Sequence, residues 1–217
     1  MVKKSTHNAL WEELQAHLDD CYAGAKVEAQ DSLGSDVYLR FELGLGHRNG
    51  TKERLRQATQ RAVELFGDCF EAAETELLVL VYEYPNDYPP SSGLHRELTH
   101  LYTLFSPSVQ WSTYWRKMEE MDFDFKVLIG KMRVADVQVS GVMHGIACSE
   151  MGFSPYVEQS VFFFAPALRK AFYMYDDRGC SIWSDDVERL RSIFEQRNEW
   201  IVDYHRQWIE PLFLGDK

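Results

Sequence analysis

The stretch Tyr173-Met174-Tyr175-Asp176-Asp177-Arg178-Gly179-Cys180-Ser181-Ile182-Trp183 constrains the fold of this chain more than any other. Two segments of alternating aromatic and apolar residues flank a tight polar corner. Alternation of this kind sends every second side chain to the same face of a strand, so each segment can lay one face on a core. The pattern predicts strands over Ala171–Tyr175 and Cys180–Trp183 that turn back on each other through Asp176, Asp177, Arg178 and Gly179. The corner chemistry agrees. Asp side chains accept from nearby backbone N–H groups, Gly tolerates positive φ, and Arg can pair with a carboxylate.

Helix and strand signals alternate along the rest of the chain. Thr6 is placed to cap a helix with Leu10, Trp11, Leu14 and Leu18 at helical spacing. Val37, Leu39, Phe41 and Leu43 alternate with Tyr38, Arg40 and Glu42, the mark of a half-buried strand. Thr51 caps a second helix with Leu55, Ala58, Ala62, Val63 and Phe66 inward, and Gly67 is expected to stop it. Leu77–Tyr82 is too continuously apolar for an edge and reads as a central strand. Pro85–Gly93, with three prolines, two serines and a glycine, reads as a surface loop. Val134–Val139 is expected to be a strand, with Ser140 capping a helix to about Met151 and a further strand over Val157–Ala165. Asp185 then caps a long amphipathic stretch running from Val187 to Leu212. The expected architecture is α+β: one domain over residues 1–217, with a mixed or antiparallel central sheet and helices packed on its faces.

Leu39-Arg40-Phe41-Glu42-Leu43-Gly44 and the corner beginning at Tyr175 together resemble a bacterial domain family marked by an RFELG strand near the start and a YDDRG motif near the end. That family is a domain of unknown function. The resemblance therefore implies a fold and a pair of hallmark motifs, and it assigns no activity.

Charge narrows the partners. With 34 acidic against 23 basic residues the chain carries −11, which opposes direct binding of nucleic acid or anionic membrane and favours encounter with a basic partner. No apolar run approaches the roughly 18–20 residues needed to cross a bilayer, and a cytoplasmic location is expected. Cys21, Cys69, Cys148 and Cys180 form no C-x-x-C pair and are expected to be buried thiols.

Three constellations could carry chemistry. Asp176, Asp177, Arg178 and Gly179 could bind a metal or hold a base, although turn chemistry accounts for the same residues. Gly44–Gly50, between a strand and a helix, resembles a loose G-x-G-x-x-x-G phosphate loop, with Arg48 inside it and Lys52, Arg54, Arg56 and Arg61 after it. A solvated basic helix face is the preferred alternative. Ser140, His144 and Cys148 fall on one helix face at i, i+4, i+8, but zinc needs three or four ligands and no further His or Cys stands at motif spacing. The aromatic residues Trp111, Tyr114, Trp115, Phe123 and Phe125 are core candidates that could also form a contact surface. No cofactor or metal is expected.

The favoured function is that of an immunity (antitoxin) protein that binds and blocks a cognate, basic bacterial nuclease toxin. The expected contacts are Glu119, Glu120, Asp122 and Asp124 in the middle of the chain and Asp185, Asp186 and Glu188 at the start of the final helix. The competing reading is a small hydrolase or nucleotide-binding enzyme that uses the Asp176–Gly179 corner and the Gly44–Gly50 loop.

Overall fold

A computed structural model of the chain describes residues 9–25, 33, 35–83, 100–117 and 124–215. Its frame is a seven-stranded sheet in the order β1-β7-β6-β5-β2-β4-β3, with each neighbouring pair antiparallel. The strands are β1 (Tyr38–Glu42), β2 (Glu76–Glu83), β3 (Trp111–Lys117), β4 (Asp124–Arg133), β5 (Ser160–Ala165), β6 (Lys170–Asp176) and β7 (Gly179–Ser184). The helices are α1 (Ala9–Cys21), α2 (Lys52–Phe70), α3 (Val139–Met151), α4 (Arg191–Gln196) and α5 (Arg206–Leu214). One sheet gathers strands from both ends of the chain, so the architecture is α+β in a single domain.

The sheet is buried on both faces, which is why its central strands read as unbroken apolar runs. Along β2, Leu77, Val79 and Val81 enter one core with α2 and α3, while Leu78, Leu80 and Tyr82 enter a second core with α1. The split repeats on β5, where Val161 and Phe163 face the first core and Phe162 and Phe164 the second. Period-two geometry thus divides one apolar sequence between two layers of helix.

α2 starts as its cap predicts, with Thr51 accepting a hydrogen bond from the Arg54 N–H. Gly67 does not end it. The buried stripe continues through Cys69 and Phe70, and the helix closes at Glu71, whose φ is +60°. Phe66 explains the extension: its ring meets Phe70, Phe163 and Phe172 edge-on at centroid distances of 4.8, 5.1 and 5.4 Å. Packing of that kind outweighs the roughly 1 kcal/mol that an interior glycine costs a helix.

Other boundaries are corrected. Val134–Asp136 is a 3-10 turn rather than a strand, and it is held by Asp136, which accepts from the Arg133 N–H at 2.9 Å. Ser140 is not a cap; α3 begins one residue earlier, after Gln138, without a side-chain cap. β5 starts at Ser160 rather than Val157. The expected long final helix is broken into 3-10 turns and the short helices α4 and α5, and Asp186 rather than Asp185 accepts the first N–H, from Glu188. Thr6 and the Pro85–Gly93 loop lie outside the described residues.

Two histidines are folded into apolar surroundings, and this sets a pH dependence. His17 on α1 lies edge-on to Tyr22 and Phe164, with Nδ1 3.4 Å from the Cys21 sulfur. Burial above all, then Arg169, lowers its pKa below the ordinary 6.5, against smaller opposing effects of Asp20 and Asp185. His205 is lowered by burial and then by Arg40. A lowered folded pKa means that the unfolded chain binds the extra proton more readily. The contribution is therefore complete above about pH 6.5 and is lost as the pH falls below it. Thermal melts at pH 7.5 and 5.5, taken with roughly a unit of pH on either side of that value, are expected to show lower stability at the acid end. His17→Phe is expected to flatten the slope; an unchanged slope in that variant would assign the acid sensitivity elsewhere.

Candidate functional site

The segments Leu39–Gly44 and Tyr175–Gly179 form a single structure. β1 lies antiparallel to β7, with Phe41 opposite Cys180 and Glu42 opposite Gly179. The pairing continues past the strand, because the Leu43 N–H donates to the Arg178 carbonyl at 2.8 Å. Arg40 of the first segment donates from Nε to the Tyr175 hydroxyl of the second at 3.2 Å, with its guanidinium 4.8 Å from the ring centroid.

Arg54, from the first turn of α2, ties this junction. Its guanidinium pairs with Asp177 and also donates to the Gly44 carbonyl at 2.8 Å and the His47 carbonyl at 3.1 Å. The Arg54 and Asp177 side chains are 15% and 3% exposed, so this is a buried pair. A Cβ on Gly44 would fall against the Arg54 guanidinium, which is why glycine closes the first segment. The other corner acid, Asp176, pairs with the Arg178 side chain and accepts from the Arg178 N–H at 2.7 Å. Both corner carboxylates are therefore committed to arginines of the chain itself.

The corner is a two-residue connection through Asp177 and Arg178, with a register irregularity between Met174 and Asp176. Gly179 does not have positive φ; it is a strand residue paired with Glu42 and Asp176. Glycine is needed there because a Cβ would strike the Tyr175 hydroxyl and approach the Phe41 carbonyl oxygen to 2.6 Å.

The Gly44–Gly50 loop is folded over α2 by its carbonyls. Beyond the two held by Arg54, Gln57 donates to the Leu43 and Leu45 carbonyls at 3.0 and 2.8 Å. A phosphate cradle presents N–H groups, and the antiparallel sheet around this loop differs from the parallel βαβ unit of a dinucleotide site. The basic run is also divided. Arg54 is internal, and Arg61 donates to the Glu42 carbonyl at 2.9 Å and lies 4.8 Å from the Trp200 ring centroid. Lys52 and Arg56 are exposed.

Lys52 and Arg56 border a groove of about 590 Å³ between α2 and α3, lined also by Leu55, Thr59, Val63, Ser140, His144 and Phe153. Of the predicted trio on α3, Ser140 and His144 face this groove and His144 Nδ1 lies 3.5 Å from the Thr59 hydroxyl, whereas Cys148 is buried. Burial raises the Cys148 thiol to about 11 and also lifts Cys21, Cys69 and Cys180. Thiols held protonated in this way are poor nucleophiles. Among the described residues no three His, Cys, Asp or Glu side chains gather as metal ligands.

The predicted acidic contacts divide as well. Asp185 is paired with Arg169 and Arg189, Glu188 with Arg191, and Asp186 caps the turn after β7. Glu119, Glu120 and Asp122 lie outside the described residues, and Asp124 opens β4 with only its backbone described. Among the aromatic candidates, Trp111 packs edge-on to Tyr102 and Phe105 at 5.6 and 5.1 Å. Phe123 is outside the described residues, as are the side chains of Tyr114, Trp115 and Phe125.

Periodicity in the final segment concealed an exposed stripe. Tyr204, Trp208 and Leu212 recur at every fourth position and are 55%, 61% and 44% exposed, followed by Leu214 at 58%. The opposite side of α5 buries Ile209 and Phe213. His205 anchors the stripe to the sheet, its ring 4.5 Å from Tyr204, 6.0 Å from Trp208 and 5.2 Å from Tyr38 of β1. The exposed Asp203 and the partly exposed Glu210 flank it, both paired with Arg206. The sequence pattern makes Trp208 and Leu212 part of one amphipathic stretch; spacing fixes that residues share a face, and only the fold decides which way it points.

No solved structure matches the chain. A segment of 33 residues, 15% of this chain, is 39% identical to an uncharacterized protein of Bacillus subtilis (strain 168), YnaE. The chain covers 16% of the length of that relative. Among the described residues no helix is long and apolar enough to cross a membrane. A family model matches residues 8–205, a span that includes Leu39–Gly44 and Tyr175–Gly179 and ends before α5, and the chain accordingly belongs to the DUF3885 family, a domain of unknown function.

Proposed function

We propose that this protein works by binding another protein, as a cytoplasmic immunity (antitoxin) protein that covers a cognate basic toxin. The observation that carries the reading is the exposed stripe Tyr204, Trp208 and Leu212 on a chain of net charge −11. Tyr and Trp dominate the energetic centres of protein interfaces, and neighbouring solvated apolar side chains gain free energy when a partner covers them. The acid excess selects the partner's sign. It accelerates encounter with a cationic protein and repels nucleic acid, the substrate that a nuclease toxin engages.

The rival enzymatic reading draws on Asp176, Asp177, Arg178 and the Gly44–Gly50 loop. It is disfavoured because both carboxylates are neutralised by arginines and the loop's carbonyls are already taken. Glu119, Glu120, Asp122 and Asp124 remain the proposed electrostatic rim; Asp185, Asp186 and Glu188 contribute less, because their charges are used within the fold.

The test is co-expression with the product of the adjacent gene, scored by growth and by affinity capture. Trp208→Ala with Leu212→Ala is expected to weaken capture at least ~30-fold, equivalent to about 2 kcal/mol at a hot spot, and to abolish protection. Raised salt and charge reversal at Glu119, Glu120, Asp122 and Asp124 are expected to slow association. Full protection by the Trp208/Leu212 variant would remove the stripe from the interface. A neighbour that is neither bound nor neutralised would overturn the immunity reading.

A further inference from the structure

We infer that the groove between α2 and α3 is a separate binding site for a small organic anion with an apolar body. Its volume of about 590 Å³ lies within the range of small-molecule sites, roughly 300–1,000 Å³. Leu55 and Val63 of α2 and Phe153 after α3 provide an apolar wall, and Thr59, Ser140 and His144 provide hydrogen-bonding groups. Lys52 and Arg56, one helical turn apart, supply positive charge.

Arg54, Lys131, Arg133, Arg169, Lys170 and Arg197 are each paired with a carboxylate of the chain. Among the described residues Lys52 and Arg56 share the lack of a carboxylate partner with Arg48 and Arg61, but of these four only Lys52 and Arg56 line the groove. Glu64 also lines the groove but is held by Arg197 through a 2.6 Å ion pair, so its charge is offset. Glu53 does not line the groove; it lines the neighbouring recess, which Arg56 and Glu64 also border. An apolar wall beside two unneutralised cations, on an otherwise acidic protein, suits a ligand that carries its negative charge at one end of an apolar body. The stripe residues of α5 do not line this groove, so the site stands or falls independently of the toxin-binding reading.

Fluorescence titration of the full chain with anilinonaphthalene sulfonate, and with its uncharged analogue phenylnaphthylamine, tests the site. The sulfonate is expected to bind at one molecule per chain and the analogue at least tenfold more weakly. Lys52→Glu with Arg56→Glu, both at exposed positions, should weaken the sulfonate at least tenfold, leave the analogue unchanged and keep the melting temperature. Val63→Trp should fill the groove and remove both, while Trp208→Ala should change neither. The site is overturned if the sulfonate fails to bind, if the two probes bind equally, if charge reversal has no effect, or if Trp208→Ala rather than Val63→Trp removes binding.

Discussion

Gly179→Val is expected to destabilise the fold by about 3 kcal/mol, the upper end of what overpacking costs, with most of that loss already present in Gly179→Ala. The reason lies in the first atom of the new side chain. A Cβ at this position meets the Tyr175 hydroxyl and stands 2.6 Å from the Phe41 carbonyl oxygen. The tyrosine can move, but the carbonyl belongs to β1, which is paired with β7 along its length. Were a left-handed backbone the reason for glycine, Asn would be tolerated better than Ala. The extended pairing of Gly179 with Glu42 removes that distinction, so Gly179→Asn should be as damaging as Gly179→Ala. Tyr175→Phe should recover part of the Gly179→Ala loss by removing one of the two obstacles, at the expense of its hydrogen bond from Arg40. Urea midpoints of the four variants measure this. A Gly179→Ala midpoint equal to wild type would show that β1 and β7 are not this close.

The same glycine shows what the sequence conveys and what it withholds. Alternation across Tyr173–Trp183 located β6 and β7 and the corner between them, because period two is a local property of the backbone. Likewise Val37–Leu43 announced β1, and Leu77–Tyr82 announced a strand inside the sheet. That Gly179 faces Phe41, some 140 residues earlier, is long-range information that no local pattern contains. Residue chemistry suggested that Arg178 would pair with a carboxylate, and it pairs with Asp176. The partner of Asp177 proved to be Arg54, which the sequence had placed among surface cations. Gly67 failed as a stop for the converse reason: local propensity was outweighed by the aromatic contacts of Phe66 and Phe70. In the final segment an amphipathic spacing predicts one long helix, but the chain there breaks into 3-10 turns and short helices and leaves Tyr204, Trp208 and Leu212 exposed.

Removing either member of the Arg54–Asp177 pair is expected to cost about 3–5 kcal/mol, because the survivor is left as a buried charge without its counter-ion. Arg54→Met with Asp177→Leu should lose clearly less than the sum of the single changes, since the double variant buries no uncompensated charge. It should still fall short of wild type. Arg54 also satisfies the carbonyl of the buried Gly44, besides that of the exposed His47, and a buried carbonyl stripped of its donor costs roughly 1–3 kcal/mol. Arg54→Lys is therefore a poor rescue. One ammonium supplies charge to Asp177 but cannot reproduce the planar fork that reaches a carboxylate and two carbonyls at once. The cycle also separates the two roles open to the corner. If Asp177 serves only to join α2 to the hairpin, the double variant retains the proposed partner capture in proportion to its folded fraction. Capture lost from a fully folded double variant would move the functional surface from the α5 stripe to the corner. Strictly additive single and double costs in urea would show that the pair is not coupled, and would leave the joining of the two segments to the backbone bonds of β1 and β7 alone.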